Sequence, residues 1–437
     1  MNWIKTIIHA LAASMTAKVF AMGLRFVTIC LLPLWLTPAE IGWNAVILAI
    51  INFGIAIIDF GFGTALIKEK TCTVRMYQSV LTFILMISVV GSGAMIAFAD
   101  PIAHVFSFPP IILVISAFAI PFSVFAIVPN ALLQRELRFT SLAIRDLIGE
   151  IAFSATALLL AIFGYTWLCV PIALVVQRII RWLVSTLSIQ YVPGFALSWS
   201  DLRQLFSFSM FQLGNITIAQ LANRLDTFLL SIFLTPSMLG FYSQGQQLST
   251  IPVQSITGTA TNVFFATFAK LQDDLEKFKT LFIKIVGVLF FVSLAIIGIA
   301  FPAMGLIPKV YSSAWQESVE IARNLCFSIP FFAFSAIEGI LISVGGERRR
   351  LASSIARMAV MAIGICILFG LLSSEANPRN VAWIVLASSA IGACMNFQYL
   401  WNKLALCPKD AHPWIKYALA GASIAIGGIV VTRFCGL

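Results

Sequence analysis

Long apolar segments joined by short polar connections make up nearly the whole of this 437-residue chain. A bilayer-spanning helix needs roughly 20 mostly apolar residues. On that rule spans are expected near 14–35, 41–66, 77–99, 111–133, 146–163, 167–189, 207–233, 239–265, 283–305, 319–343, 353–372, 380–400 and 415–434, thirteen in all. The leading stretch MNWIKTIIHALAAS has a lysine, a short apolar run and small residues, as a cleavable signal does. His9 interrupts that run and another apolar segment follows at once, so the stretch reads as an uncleaved amphipathic lead-in on the membrane surface.

Composition removes the soluble alternative. The chain is 60% hydrophobic and 11% charged, against about 25% charged residues in a typical soluble domain. Its mean hydropathy is +0.97. The net charge of +10 follows from topology and implies no nucleic-acid partner. Alternate connections hold Lys68, Lys70 and Arg75; Arg135, Arg138 and Arg145; Arg203; Lys270, Lys277, Lys279 and Lys284; Arg348, Arg349, Arg350 and Arg357; and Lys403, Lys409 and Lys416. With Lys5 these are 19 of the 28 basic residues, whereas the opposite connections hold Lys309, Arg379 and Arg433. By the positive-inside rule the N-terminus and the basic connections are cytoplasmic.

An internal repeat organises the spans. Leu36-Thr37-Pro38-Ala39-Glu40-Ile41-Gly42-Trp43 returns 198 residues later as Leu234-Thr235-Pro236-Ser237-Met238-Leu239-Gly240-Phe241. Each copy closes an outward-running span and opens an inward-running one, with proline ending the helix and presetting a turn. Six spans separate the copies, and an even number implies a parallel repeat about an axis along the membrane normal. The expected architecture is an all-α polytopic membrane protein of about 12–14 helices, two six-helix bundles around a central cavity. Residues 1–200 and 201–400 would form the bundles and 401–437 an extra C-terminal transmembrane segment.

Charges left inside spans are candidates for function, because a charge at mid-bilayer costs about 2.5–3.5 kcal/mol on insertion scales. The basic ones are Lys18, Arg25, Arg178, Arg181, Arg224 and Arg323, and the acidic ones Asp59, Glu150, Asp226 and Glu338. Lys18, Arg181 and Arg323 lie where a long side chain can snorkel to the headgroups. Arg25, Arg178 and Arg224 are deeper. In the seventh span Gln220, Asn223, Arg224 and Thr227 recur at i, i+3, i+4 and i+7, one face of a helix. Asp226 lies off that face, suited to pairing with another helix or to binding a coupling cation. The eighth span adds Gln244, Gln246, Gln247, Gln254 and Asn262, either as helix-to-helix amide contacts or as substrate contacts. Arginine forks suit phosphate oxygens and amides suit sugar hydroxyls, so this set matches an anionic, hydroxyl-rich ligand. No G-x-x-x-x-G-K-[ST] loop is present. The eight cysteines include no C-x-x-C pair and, with three scattered histidines, imply neither a metal site nor a cofactor.

Several stretches resemble the polysaccharide transporter (oligosaccharide flippase, Wzx-like) family of the multidrug/oligosaccharidyl-lipid/polysaccharide exporter superfamily. Ile57-Ile58-Asp59-Phe60-Gly61-Phe62-Gly63-Thr64-Ala65-Leu66-Ile67 is similar to its D-(apolar)-G-x-x-x-A segment. Leu133-Gln134-Arg135-Glu136-Leu137-Arg138-Phe139 is similar to its cytoplasmic Q-R-x-(apolar)-x-F loop. Asn223-Arg224-Leu225-Asp226 and Leu239-Gly240-Phe241-Tyr242-Ser243 resemble its N-x-x-D…L-G-x-Y-S signature. The resemblance implies alternating access and flipping of a polyprenyl-diphosphate-linked oligosaccharide to the outer leaflet for O-antigen, exopolysaccharide or capsule, in a bacterial inner membrane, with polymerase and glycosyltransferase partners. On that reading Arg25, Arg178, Arg224, Gln220, Asn223 and Gln247 would meet substrate, while Asp59, Glu150, Asp226 and Glu338 would couple or gate. A drug/cation antiporter of the related multidrug branch is the alternative. It would favour acids and aromatics in its cleft, and here the basic residues outnumber the acids.

Overall fold

The computed structural model describes residues 2–69, 72–189, 193–250, 268, 275–305, 315–334, 347–370, 378–404, 406 and 412–434. Every regular element among them is helical, and each of the thirteen expected spans coincides at least in part with a helix. By their contacts the residues fall into two units, Met1–Ser237 and Met238–Leu437.

The first unit begins with α1 (Asn2–Leu31), continued by a 3-10 turn at Leu32–Leu34. Helix α1 is unbroken, so no joint separates a surface lead-in from the first span. The next elements are α2 (Pro38–Ile58), α3 (Phe62–Lys68), α4 (Val74–Ala97) and α5 (Ala99–Phe106). The fourth span is three end-to-end pieces, α6 (Pro110–Ala117), α7 (Ala119–Phe125) and α8 (Ile127–Arg135). Then come α9 (Phe139–Ile162), α10 (Thr166–Ile189) and α11 (Trp199–Phe233). Helix α9 packs on α1 and α10, and α11 packs on α2, α3 and α4.

The first repeat copy starts a helix rather than ending one. Thr37 is the N-cap of α2, Pro38 is its first residue, and Thr37 and Glu40 form a reciprocal capping box in which the Thr37 N–H donates to Glu40 Oε2 at 2.7 Å. Glu40 is buried, and its other oxygen accepts the hydroxyl of Thr166 at the start of α10. One acid thus ties together the starts of two helices. In the second copy the helical stretch α12 (236–250) also starts at the proline, but Met238 stands where Glu40 does and cannot close the box.

In the second unit α12 is followed by α13 (Leu275–Met304), α14 (Gln316–Cys326), α15 (Ile329–Ala333), α16 (Glu347–Gly370), α17 (Pro378–Lys403) and α18 (His412–Phe434). The last helix lies along α13 with glycines in the seam. A Cβ on Gly298 would sit 2.6 Å from the Ile424 carbonyl oxygen, and one on Gly421 would sit 2.9 Å from Leu294 Cβ. Such small residues let backbones approach where both helices already face an apolar solvent. Trp414 Nε1 donates to the Ile283 carbonyl at 2.7 Å and fixes the register.

Candidate functional site

Asp59 stands at a break between two helices. Phe60 and Gly61 take left-handed φ values of 54° and 74°, ending α2 and redirecting the chain into α3. Asp59 Oδ1 accepts the Gly63 N–H at 3.2 Å, so the carboxylate serves an orphan donor at the start of α3. Gly61 also allows α11 to pass close by: a Cβ there would lie 2.8 Å from the Ser209 carbonyl oxygen. The other end of α3 is held by Arg135 of α8, whose Nη1 donates to the Leu66 and Glu69 carbonyls at 2.6 and 2.5 Å and lies 3.0 Å from Cys72 Sγ. Two of the stretches quoted for family resemblance, through Asp59 and Arg135, therefore hold the same short helix at its two ends.

A polar cluster lies between α1, α2, α9 and α10. Its register is set by a buried bond from Thr28 Oγ1 of α1 to Ser154 Oγ of α9, 2.7 Å. One turn back on each helix lie Arg25 and Glu150. Glu150 is 5% exposed. Its Oε2 accepts Gln177 Nε2 at 2.9 Å and Arg181 Nη2 at 3.4 Å. Gly149 makes the room: a Cβ there would fall 2.6 Å from Arg181 Cγ. Arg181 also stands 3.9 Å from Asp146, which binds Arg145 at 2.6 Å. Arg145 and Ser185 both donate to Asn130 Oδ1, at 2.5 and 2.8 Å.

Arg178, the residue after Gln177 on α10, donates from Nη2 to Asn52 Oδ1 of α2 at 3.1 Å. Asn52 is itself oriented by donating Nδ2 to the Leu48 carbonyl at 2.7 Å. The Nε of Arg178 is buried and has no hydrogen-bond partner among the described residues, and the same holds for Trp182 Nε1 and Thr186 Oγ1 further along the helix. These three lie at i, i+4 and i+8, so α10 carries a row of unengaged polar atoms on one face. Arg25 is exposed on α1 and lies within electrostatic reach of Glu150, Arg178, Arg181 and Arg224. Three acids, Glu150, Asp146 and Asp226, stand against Arg25, Arg145, Arg178, Arg181 and Arg224, which leaves the neighbourhood positive.

On α11 the expected polar stripe divides. Asn223 is exposed, Gln220 and Arg224 are half-buried, and Thr227 is buried with its N–H donated to Asp226 Oδ1 at 2.7 Å. Asp226, 3% exposed, lies within electrostatic reach of Arg224. Phe228 packs edge-on to Phe53 of α2 at 6.2 Å, holding α11 against the helix that carries Asn52. Thus Arg25, Arg178, Arg224, Glu150, Asp59 and Asp226 all belong to the first unit, with Gln220 and Asn223. Gln247 is half-buried in the second unit, and Glu338 lies outside the described residues.

Two expectations change. Arg181 does not snorkel to the headgroups, because the facing acids Asp146 and Glu150 hold it. Arg145, counted with the basic cytoplasmic connection, is inside α9 and bound to Asp146 and Asn130. Asn52, Asp146 and Gln177 were missed. The signal for the last was available, since Gln177 and Arg181 are one turn apart on α10 and Asp146 and Glu150 one turn apart on α9.

A chain whose described elements are all helical, with repeated apolar spans and charged groups between its helices, is a polytopic membrane protein. The structure of the lipid II flippase MurJ in an inward closed conformation superposes with a TM-score of 0.78 at 13% identity, covering 98% of this chain and 93% of that one. This likeness defines the fold. The model of the polysaccharide biosynthesis protein family matches residues 32–320, and the chain belongs to that family. Among curated relatives, the succinoglycan biosynthesis transport protein ExoT of Rhizobium meliloti is 27% identical over 275 residues, 62% of this chain and 56% of its own length. The lipopolysaccharide biosynthesis protein WzxC of Escherichia coli is 23% identical over 362 residues, 79% of this chain and 70% of its own. The chain therefore aligns with little more than half the length of the first of these relatives.

Proposed function

We propose that this protein flips a polyprenyl-diphosphate-linked oligosaccharide from the cytoplasmic to the outer leaflet of a bacterial inner membrane, for assembly of a cell-surface polysaccharide. The observation that carries the reading is the cationic cluster of Arg25, Arg178 and Arg224 inside one unit of a chain from the polysaccharide biosynthesis family. A diphosphate has the charge to offset the excess of these guanidiniums over the nearby acids, and acceptor oxygens beyond the one amide oxygen that Arg178 holds. Arg178 offers it a buried, unpartnered Nε. Planar donor forks bind phosphate oxygens in pairs, and amides such as Gln220, Asn223 and Gln247 suit sugar hydroxyls. The names of the relatives, a succinoglycan transport protein and a lipopolysaccharide biosynthesis protein, support this substrate class.

In the proposed cycle the two halves, 1–200 and 201–400, alternate access to the two membrane faces, with 401–437 as an added span. The N-terminus is cytoplasmic. Glu150 and Asp226 are the acids placed to answer a change of charge beside the arginines. Flow of a counter-ion, or the membrane potential at about 2.3 kcal/mol per charge per 100 mV, drives the cycle. The product is handed to a polymerase, and glycosyltransferases supply the substrate. Replacing Arg224 with Gln is expected to abolish surface glycan while the protein accumulates to normal level in the membrane. Normal glycan in that strain would sink the assignment.

A further inference from the structure

Another arginine, which forms no ion pair among the described residues, lies in the other unit, outside the cluster described above. Arg323 is on α14, and its Nε and Nη2 are buried with no hydrogen-bond partner among the described residues. The acid one turn before it, Glu320, is drawn away: it forms an ion pair with Arg379 of α17, as does Glu317 at 4.0 Å. The guanidinium of Arg323 rests instead over the ring of Phe301 on α13, 5.4 Å from its centroid. A ring face answers the charge in part and leaves the N–H donors unanswered, because it offers no oxygen.

The surroundings describe the missing acceptor. Phe301 neighbours Phe327 at 6.2 Å, and Phe327 stacks on Trp383 of α17 at 6.4 Å with an interplanar angle of 11°. Both outer rings are exposed, Phe327 by 38% and Trp383 by 53%. Arg323 lies seven residues into α14 and Trp383 five residues into α17, so both sit within about two turns of a helix start. Under the charge-derived topology those starts lie on the outer side. A tryptophan facing lipid at that depth belongs to the belt where rings meet headgroups. A cation buried beside it stands at the level of lipid phosphates.

We propose that Arg323, with Phe301, Phe327 and Trp383, binds the phosphate of an outer-leaflet glycerophospholipid. The guanidinium fork takes the phosphate oxygens, and the stacked rings lie along the glycerol and the upper acyl chain. Exposure of the rings to bulk lipid favours a common anionic phospholipid over the transported substrate. The site does not depend on the flippase reading.

The test is native mass spectrometry of the full-length protein in detergent, titrated with phosphatidylglycerol, with polyprenyl monophosphate and with inorganic phosphate. The wild type is expected to hold phosphatidylglycerol about tenfold more tightly than Arg323→Gln, with Arg323→Lys in between. Equal binding by wild type and Arg323→Gln overturns the proposal, as does a preference for polyprenyl monophosphate or full occupancy by inorganic phosphate alone. A second reading covers poor folding of the charge variant. Brominated phosphatidylglycerol in vesicles should quench a component of the tryptophan fluorescence that is missing in Trp383→Phe. An unchanged quenched fraction in Trp383→Phe would also overturn it.

Discussion

Arg181 and Glu150 illustrate how a charge is kept inside an apolar bundle. Neither is fully neutralised alone: Glu150 takes one hydrogen bond from an amide and one from a guanidinium, and Arg181 is shared between two acids. Removing one member of such a set leaves its partner desolvated, which costs about 1–3 kcal/mol for a buried polar group. Glu150→Gln should therefore lower the midpoint of thermal unfolding in detergent, and so should Arg181→Gln. The double variant is expected to lose less than the sum of the two, because it leaves no unpaired charge between them. Strict additivity would show that the pair is not energetically coupled. Gly149→Ala is expected to lower stability in the same way, since the added methyl meets the Arg181 chain. Part of this was legible in the sequence. A charge within an apolar run is visible by itself, so Arg178, Arg181, Arg224 and Glu150 could be picked out. Their partners could not, because which faces of α9, α10 and α2 meet depends on packing. Asn52 looks like any polar residue until the Arg178 guanidinium lies against it.

At the level of elements, the segment around Asp59 separates a structural acid from a functional one. The resemblance made Asp59 a gating candidate, whereas the structure gives its carboxylate a capping bond at the start of α3. The two roles predict different behaviour. Asn keeps an acceptor oxygen and loses the ionisable group, whereas Ala loses both. If capping is the role, Asp59→Asn should keep both stability and surface glycan, and Asp59→Ala should cost about 1 kcal/mol, the usual cost of a lost N-cap. Loss of glycan in a stable Asp59→Asn protein would instead assign the residue to coupling. Gly61→Ala tests the break itself. A left-handed φ of 74° and a Cβ 2.8 Å from a backbone oxygen of α11 both oppose it, so destabilisation above about 1 kcal/mol is expected in urea or thermal unfolding. The repeat was legible as a pair of helix boundaries. Its capping box was less so, because Glu40 is matched by Met238 and only one copy carries the chemistry.

For the molecule as a whole, hydropathy was a nearly sufficient guide, since backbone groups in lipid must be satisfied within helices. All thirteen expected spans meet helices, yet among the described residues eight helical stretches are long and apolar enough to qualify by composition alone. The helix at 139–162 does not, and it carries Arg145, Asp146 and Glu150. The same charges that weaken its hydropathy build the candidate site. Orientation rests on a different asymmetry, the concentration of basic residues in alternate connections, and it can be tested without reference to transport. In a background lacking the eight native cysteines, a cysteine is placed at Arg138, 44% exposed beside the start of α9, or at Tyr165, 55% exposed at the other end of that helix. A membrane-impermeant maleimide should label position 165 in intact cells and position 138 only after permeabilisation. The reverse pattern would turn the whole chain over. The cytoplasmic side assigned to the clamp on α3 and the outer-leaflet depth assigned to Arg323 would then both be reversed, because both assignments follow from the same alternation of basic connections.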